Sequence, residues 1–503
     1  MSLISTGSNW TFELLERYDA AIATCAGEFG LDTYANQIEV ITSEQMLDAY
    51  ASTGLPIGYA HWSYGKAFIA NERAYRTGRQ GLAYEIVINS DPCIAYLMEE
   101  NSMMMQALVI AHASYGHNSF FKGNYLFRQW TQASAIVDYL VFARNYVAGC
   151  EERYGVTAVE EIMDSCHALM EYGVNRYRRA APLSLVEEKA RSAERQEIAR
   201  LQYNDLWRTL PATPVSRIEA SKKNFPAEPE ENILYFVEKH APRLTPWQRE
   251  LVRIVRKLAQ YFYPQGQTKV MNEGWATFWH YTLLNRLYEK GLVNDGFMLE
   301  FLQSHANVIR QPDFDEQGYG GINPYALGYA MMQDLRRICE RPTPEDRHWF
   351  PDIAGGDWFK VMDFAMRNFK DESFIAQYLS PRLMREFRLF SVADHEAREM
   401  LKVDSIHNDD GYARVRKLLA AQYALDYRLP DIQIVKFDRE GDRSLLLRHQ
   451  ALRGRPLVED EATEVMKHLA RLWGFTVRME RTGAGGCVES TRVCEAPWQR
   501  QVA

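Results

Sequence analysis

Imidazole, carboxylate and amide groups are concentrated in two otherwise apolar and aromatic stretches of the chain. The first is His112-Ala-Ser-Tyr-Gly-His117-Asn118-Ser-Phe-Phe-Lys122, the second Asn272-Glu273-Gly-Trp275-Ala-Thr-Phe-Trp279-His280. Burying such groups costs free energy unless each finds a partner or is put to chemical use. Whatever the chain folds into must supply those partners from segments far apart in sequence.

The surrounding pattern is mainly helical. Trp10, Phe12, Leu14, Leu15, Tyr18, Ile22 and Cys25 recur at helical spacing over 9–29, closed by Gly27 and Gly30. Gln37–Ile41 alternates, and Tyr84–Asn89 reads as a short β-branched strand leading into the first histidine stretch. From Ile94 to Val147 the pattern is helical with an interruption at 116–124, a long helix follows over about 158–179, and helical patterning returns from Asn232 to about 340 with turns near Pro264, Asn294 and 318–324. Residues 184–206 read as a charged, solvated helix, and 207–230 as an irregular connection marked by Pro211, Pro214, Pro226 and Pro229.

The last part changes character. Ile432–Phe437 and Ser444–His449 are strand-like around a turn at Gly441, Glu461–Leu472 reads as a helix ended by Gly474, and Phe475–Met479 as a third strand. The expected architecture is a mainly helical domain with a few short strands over 1–425, then a small α+β domain of ββαβ order over 426–481. The glycine-rich residues 482–503 are expected to be a disordered tail.

A formal charge of -8 argues against a general nucleic-acid binder, and the run Arg176, Arg178, Arg179 is too short to change that. The seven cysteines are scattered with no C-x-x-C pair, so neither a disulfide framework nor a cysteine zinc site is indicated. With no signal-peptide pattern at the start and no membrane-length apolar run, the expectation is a cytoplasmic protein without membrane insertion.

Glu273 and His280, seven apart, share a helix face but stand about 10 Å apart along its axis, so lining one groove is easier than chelating one ion. His112 and His117, five apart, diverge by about 140° on a regular helix and converge only if the helix breaks, for which Gly116 is well placed. Such a break would bring His117, Asn118 and Lys122 toward His112. Neutral imidazoles with a carboxylate suit a divalent transition metal: zinc, iron or manganese. His112, His117, Glu273 and His280 are the candidate ligands. Without metal, Glu273 among tryptophans is a candidate general acid or base with His280. His61–Lys66, Ser304–Asn307 and Gly320–Tyr325 are weaker candidates for walls of the same cavity. The alternative is that the histidines only satisfy core hydrogen bonds.

Three longer runs are distinctive: Ile57-Gly-Tyr-Ala-His-Trp-Ser-Tyr-Gly-Lys66, Gln267-Thr-Lys-Val-Met-Asn-Glu-Gly-Trp-Ala-Thr-Phe-Trp-His280 and Gly321-Ile-Asn-Pro-Tyr-Ala-Leu-Gly328. In these runs the chain resembles the SpoVR family, named for stage V sporulation protein R. Asn368-Phe-Lys-Asp-Glu-Ser373 and Leu472-Trp-Gly474 extend it, so the resemblance runs from about residue 30 to 480. It implies a role in sporulation (spore cortex formation) or in stationary-phase and stress responses. It also implies a PrkA-like serine kinase and a YeaH/YhbH-type protein as partners, but no particular catalytic residue. Two functions follow as expectations: a metal-dependent or acid/base hydrolase using the His/Glu cluster, or a non-catalytic regulatory partner or scaffold of the kinase system.

Overall fold

The computed structural model describes residues 3–51, 57–62, 85–176, 225–226, 228–313, 316, 319–390, 392–393, 402–403, 407–439, 441–451, 456–483 and 486–497. The charged stretch 184–206, most of the 207–230 connection, Arg178, Arg179 and the segment 63–66 lie outside them. The architecture is mainly helical with few short strands before the C-terminal sheet. Among the described residues no helix is long and apolar enough to cross a membrane. The chain divides into two compact units, Met1–Glu160 with Gln260–Leu429, and Glu161–Ala259 with Pro430–Ala503. Residues 161–259 thus group with the C-terminal segment, where the sequence suggested a single boundary at 425/426.

In the first unit, helix α1 (Phe12–Phe29) starts where Thr11 accepts from the Leu14 N–H and ends at Gly30 with φ 76°. Strands β1 (Asn36–Ile41), β2 (Glu85–Ile88) and β3 (Cys93–Met98) form a sheet of order β1-β3-β2. β1 runs parallel to β3 and β2 antiparallel, with Glu85 opposite Leu97. The sequence placed residues 94–98 in a helical region; all six residues of β3 are buried. A short apolar run buried on both faces carries no period to distinguish strand from helix.

Helix α2 (Met103–Val109) runs without a break into a π-helix, Ile110–His117, and then α3 (Asn118–Gly123). No sharp bend occurs at Gly116. Much further along the chain lies α4 (Lys269–Glu289), in which Val270–Asn272, Gly274–His280, Thr282–Leu284 and Leu287 are buried. A helix apolar around most of its circumference belongs in the interior. The Pro264 turn is not seen: Pro264 lies within the helix Pro246–Gln267, near its end, and the break falls at Thr268. The helix predicted over 158–179 ends early, at His167.

α4 meets its neighbours through small residues. A methyl on Gly116 would sit 2.6 Å from Ala276 Cα, and one on Gly274 2.3 Å from the carbonyl carbon of Gly328, on α6 (Pro324–Glu340). Between α4 and α6, α5 (Asp295–Val308) carries His305. The start of α4 is held from α7 (Asp371–Tyr378), whose buried Asp371 accepts the N–H groups of Val270 at 2.9 Å and Met271 at 2.8 Å. These are two of the donors a helix leaves unpaired at its start. Asp371→Ala is expected to cost about 2–3 kcal/mol by stranding both, read as a lower denaturant midpoint at unchanged slope; a loss under about 0.5 kcal/mol would rule the clamp out.

The second unit holds a four-stranded sheet of order β4-β5-β6-β7: β4 (Asp431–Phe437), β5 (Leu445–Gln450), β6 (Val477–Thr482) and β7 (Val488–Cys494). Helix α8 (Glu459–Trp473) crosses between the parallel strands β5 and β6, and Gly474 closes it with φ 82°. Buried Trp473 sits between Phe236 and Phe437, with ring centroids 5.9 and 4.8 Å away. The expected ββαβ unit therefore carries a further strand. Residues 488–494, read from sequence as part of a disordered tail, pair antiparallel with β6, Val477 opposite Cys494. Glycines taken as a mark of disorder instead turn the chain: Gly483 N–H bonds the Cys487 carbonyl at 3.1 Å, and Gly486 has φ 74°.

Candidate metal centre

The π-helix explains how two histidines five residues apart come together. Its hydrogen bonds close onto the fifth residue, so positions i and i+5 become near neighbours instead of diverging. The His112 and His117 ring centroids lie 4.6 Å apart, both side chains buried. Their Nε2 atoms face two carboxylates, Glu85 from the first position of β2 and Glu273 from α4. His112 Nε2 is 3.2 Å from Glu85 Oε1 and 3.7 Å from Glu273 Oε2. His117 Nε2 is 3.9 Å and 3.5 Å from the same two oxygens. Glu85, His112 and His117 each offer a ligand atom within 4.8 Å of the others.

The other ring nitrogens have partners too. His117 Nδ1 lies 2.9 Å from Asn272 Oδ1, so its N–H donates there and Nε2 is the nitrogen that faces the carboxylates. Phe121 stacks on the same ring at 5.8 Å. His112 Nδ1 is 2.9 Å from His280 Nδ1, and His280 Nε2 is 2.8 Å from His305 Nδ1. Tyr325 stacks on His112 at 6.3 Å.

Burial alone would lower His117, but the charges of Glu273 and Glu85 outweigh it and carry its pKa up to about 9. Burial also opposes ionisation of Glu273, yet the two imidazoles hold its carboxyl well below the usual range. For Glu85 burial wins, and its pKa is raised. His280 lies far below the ordinary imidazole value and His305 at about 4, burial being the largest cause for both. Both are therefore neutral near pH 7. The carboxylates keep some solvent contact, with side chains 18% and 17% exposed for Glu85 and Glu273.

Of the residues singled out from sequence, His112, His117 and Glu273 share one cluster. His280 stands one imidazole behind, with both nitrogens engaged by histidines and neither by a carboxylate. Asn118 clamps the lead into β1, through Tyr34 N–H and O and Asn36 Oδ1. Lys122 turns away to Asp32 and the Thr33 carbonyl. Of 61–66 only His61 and Trp62 are described, with rings 5.6 Å apart. Glu85 was missed by sequence reasoning, although a lone carboxylate opening a β-branched run was a usable signal. The link from His305 to His280 was missed as well, since 25 residues separate them.

The family profile described as "SpoVR like protein" matches residues 9–428, and "SpoVR-like C-terminal domain" matches residues 430–484. The "Uncharacterized protein YcgB" of Escherichia coli (strain K12) is 59% identical over 491 residues, covering 98% of this chain and 96% of that protein. No solved structure matches. Matched over nearly its whole length, the chain belongs to the SpoVR family.

Proposed function

We propose that this protein is a metal-dependent, hydrolase-like enzyme whose divalent ion is held by His112, His117 and Glu273, with Glu85 beside it. The observation that carries this reading is the spacing of the donors. Ligands about 2.0–2.2 Å from a tetrahedral ion lie about 3.3–3.6 Å apart. The four nitrogen–oxygen separations, 3.2 to 3.9 Å, bracket that edge length. Buried Glu273 Oε2, near both imidazoles, accepts no hydrogen bond among the described residues. A donor set of two nitrogens and carboxylate oxygens, without thiolate, suits zinc, iron or manganese.

A bound ion would polarise a substrate carbonyl or phosphoryl oxygen and acidify a water. Glu85, partly exposed and raised in pKa, is then the general base that takes the proton from that water. His280 acts through His112 and not on the substrate. For the cellular setting we propose the sporulation or stress role, beside a PrkA-like kinase, that the family resemblance implies.

The test is metal analysis of protein purified without an affinity tag. Near-stoichiometric zinc, iron or manganese is expected in the wild type and in Glu85→Gln, and loss in Glu273→Gln. Wild-type protein carrying only trace metal after growth with all three supplied would end the proposal. Equal loss in both variants would make Glu85 a ligand and not the base.

A further inference from the structure

Behind the carboxylate cluster lies a row of three imidazoles on three different helical segments: His112 on the π-helix, His280 on α4 and His305 on α5. They are joined by two nitrogen–nitrogen contacts of 2.9 and 2.8 Å. All three are buried, at 3%, 1% and 5% exposure. Each contact needs one hydrogen between two ring nitrogens, and a neutral imidazole carries one hydrogen only. The tautomers along the row are therefore not independent.

We propose that His280 and His305 are positioning residues that fix the tautomer of His112 and so aim its Nε2 lone pair at the metal position. This rests on the metal reading above. With an ion on His112 Nε2, the hydrogen must sit on Nδ1 and donate to His280 Nδ1. His280 then carries its hydrogen on Nε2 and donates to His305 Nδ1, which leaves the hydrogen of His305 on Nε2. No other neutral arrangement satisfies both contacts. Without an ion, His112 Nε2–H donates to Glu85 Oε1 at 3.2 Å. The whole row then runs the other way, with hydrogens on His280 Nδ1 and His305 Nδ1. Switching between the two sets moves one hydrogen across each contact, releases one proton at the cluster and takes one up at His305 Nε2. The number of hydrogens on the row stays at three.

Aromatic side chains pack around the His305 ring. Tyr281 and Tyr329 pack on it, each with ring centroids 4.9 Å away, and Phe301 at 5.8 Å. This resembles the outer ligands of metal-bound histidines, whose removal typically costs 10–100-fold in metal affinity.

Zinc affinity of the metal-stripped full-length protein, measured by chelator competition, tests the idea. His305→Phe keeps the aromatic packing but removes the acceptor, and is expected to weaken zinc binding about 10–100-fold. His305→Asn, whose amide oxygen takes the place of Nδ1, is expected to recover to within about threefold of wild type. Equal affinity in His305→Phe and wild type would overturn the inference while leaving the metal reading intact. A loss that His305→Asn fails to restore would assign His305 a packing role and overturn it too. Absence of binding of zinc, manganese and iron(II) alike by the wild type would fell the metal reading itself. A second readout needs no variant: in wild type labelled with nitrogen-15 histidine, zinc is expected to convert His305 Nδ1 from protonated to unprotonated. An unchanged His305 resonance in zinc-loaded protein would also overturn the inference.

Discussion

Adding zinc to metal-stripped protein is expected to raise its melting temperature by roughly 5–10 °C at a free concentration one hundred times the dissociation constant. At that excess a ligand that binds only the folded state contributes about 2.7 kcal/mol. For units of this size each kilocalorie corresponds to about 2–4 °C. The increment is expected to vanish in Glu273→Gln and in His117→Ala, because losing a direct ligand must weaken binding by more than the about 100-fold ascribed to outer partners. Comparing each variant with and without zinc removes the destabilisation that the substitution itself brings. His117 is buried and its loss leaves a void, so its metal-free melting point will be lower for that reason alone. The reading fails if zinc, manganese and iron(II) all leave wild type unmoved, or if Glu273→Gln keeps the full shift.

The second large effect lies at the crossing of α4 and α6. A methyl group on Gly328 would sit 2.1 Å from the Val270 carbonyl oxygen and 2.7 Å from Gly274 Cα. Those are backbone atoms of a buried helix and cannot step aside as a flexible side chain would. Gly328→Ala should therefore push the two helices apart and cost roughly 3–5 kcal/mol, beyond ordinary overpacking. That is a large part of the stability of a typical domain. The melting point should fall by about 6–20 °C, and metal retention should fall with it, since Glu273 directly precedes the contact residue Gly274. Gly149→Ala is the control: it is helical, and nothing lies within 4 Å of the added methyl. That change should be neutral or stabilise by up to about 1 kcal/mol. Equal behaviour of the two variants would mean the close approach of α4 and α6 is not required.

How much of this was legible in the sequence depends on whether the signal was periodic or local. α1, β1, β2 and the C-terminal hairpin followed from amphipathic spacing, alternation and turn residues. β3 did not, because Cys93–Met98 is apolar at every position. β7 did not, because glycines before it were read for their freedom and not for the reversal they allow. Within the cluster, the residue types of His112, His117 and Glu273 were recognisable from the cost of burying them. Their convergence was expected from a kink at Gly116 and arises instead from a widened helical turn. Gly116 serves a different purpose, admitting Ala276 of α4 against the backbone. Glu85 was invisible to spacing arguments, since it enters from a strand and not from either histidine-bearing helix. His280 shares a helix face with Glu273, as periodicity requires, but two turns of separation place it behind His112.

A widened turn amounts to one residue too many between two ordinary helical stretches. Removing one residue between His112 and His117 would restore conventional pairing and give a straighter, locally more favourable rod. The same deletion would rotate everything downstream by about 100°, turning His117 and Phe121 away from α4 and carrying Asn118 off the lead into β1. Local regularity and the convergence of distant donors are thus opposed within eight consecutive positions. That conflict makes insertions and deletions, more than substitutions, the changes this segment tolerates least.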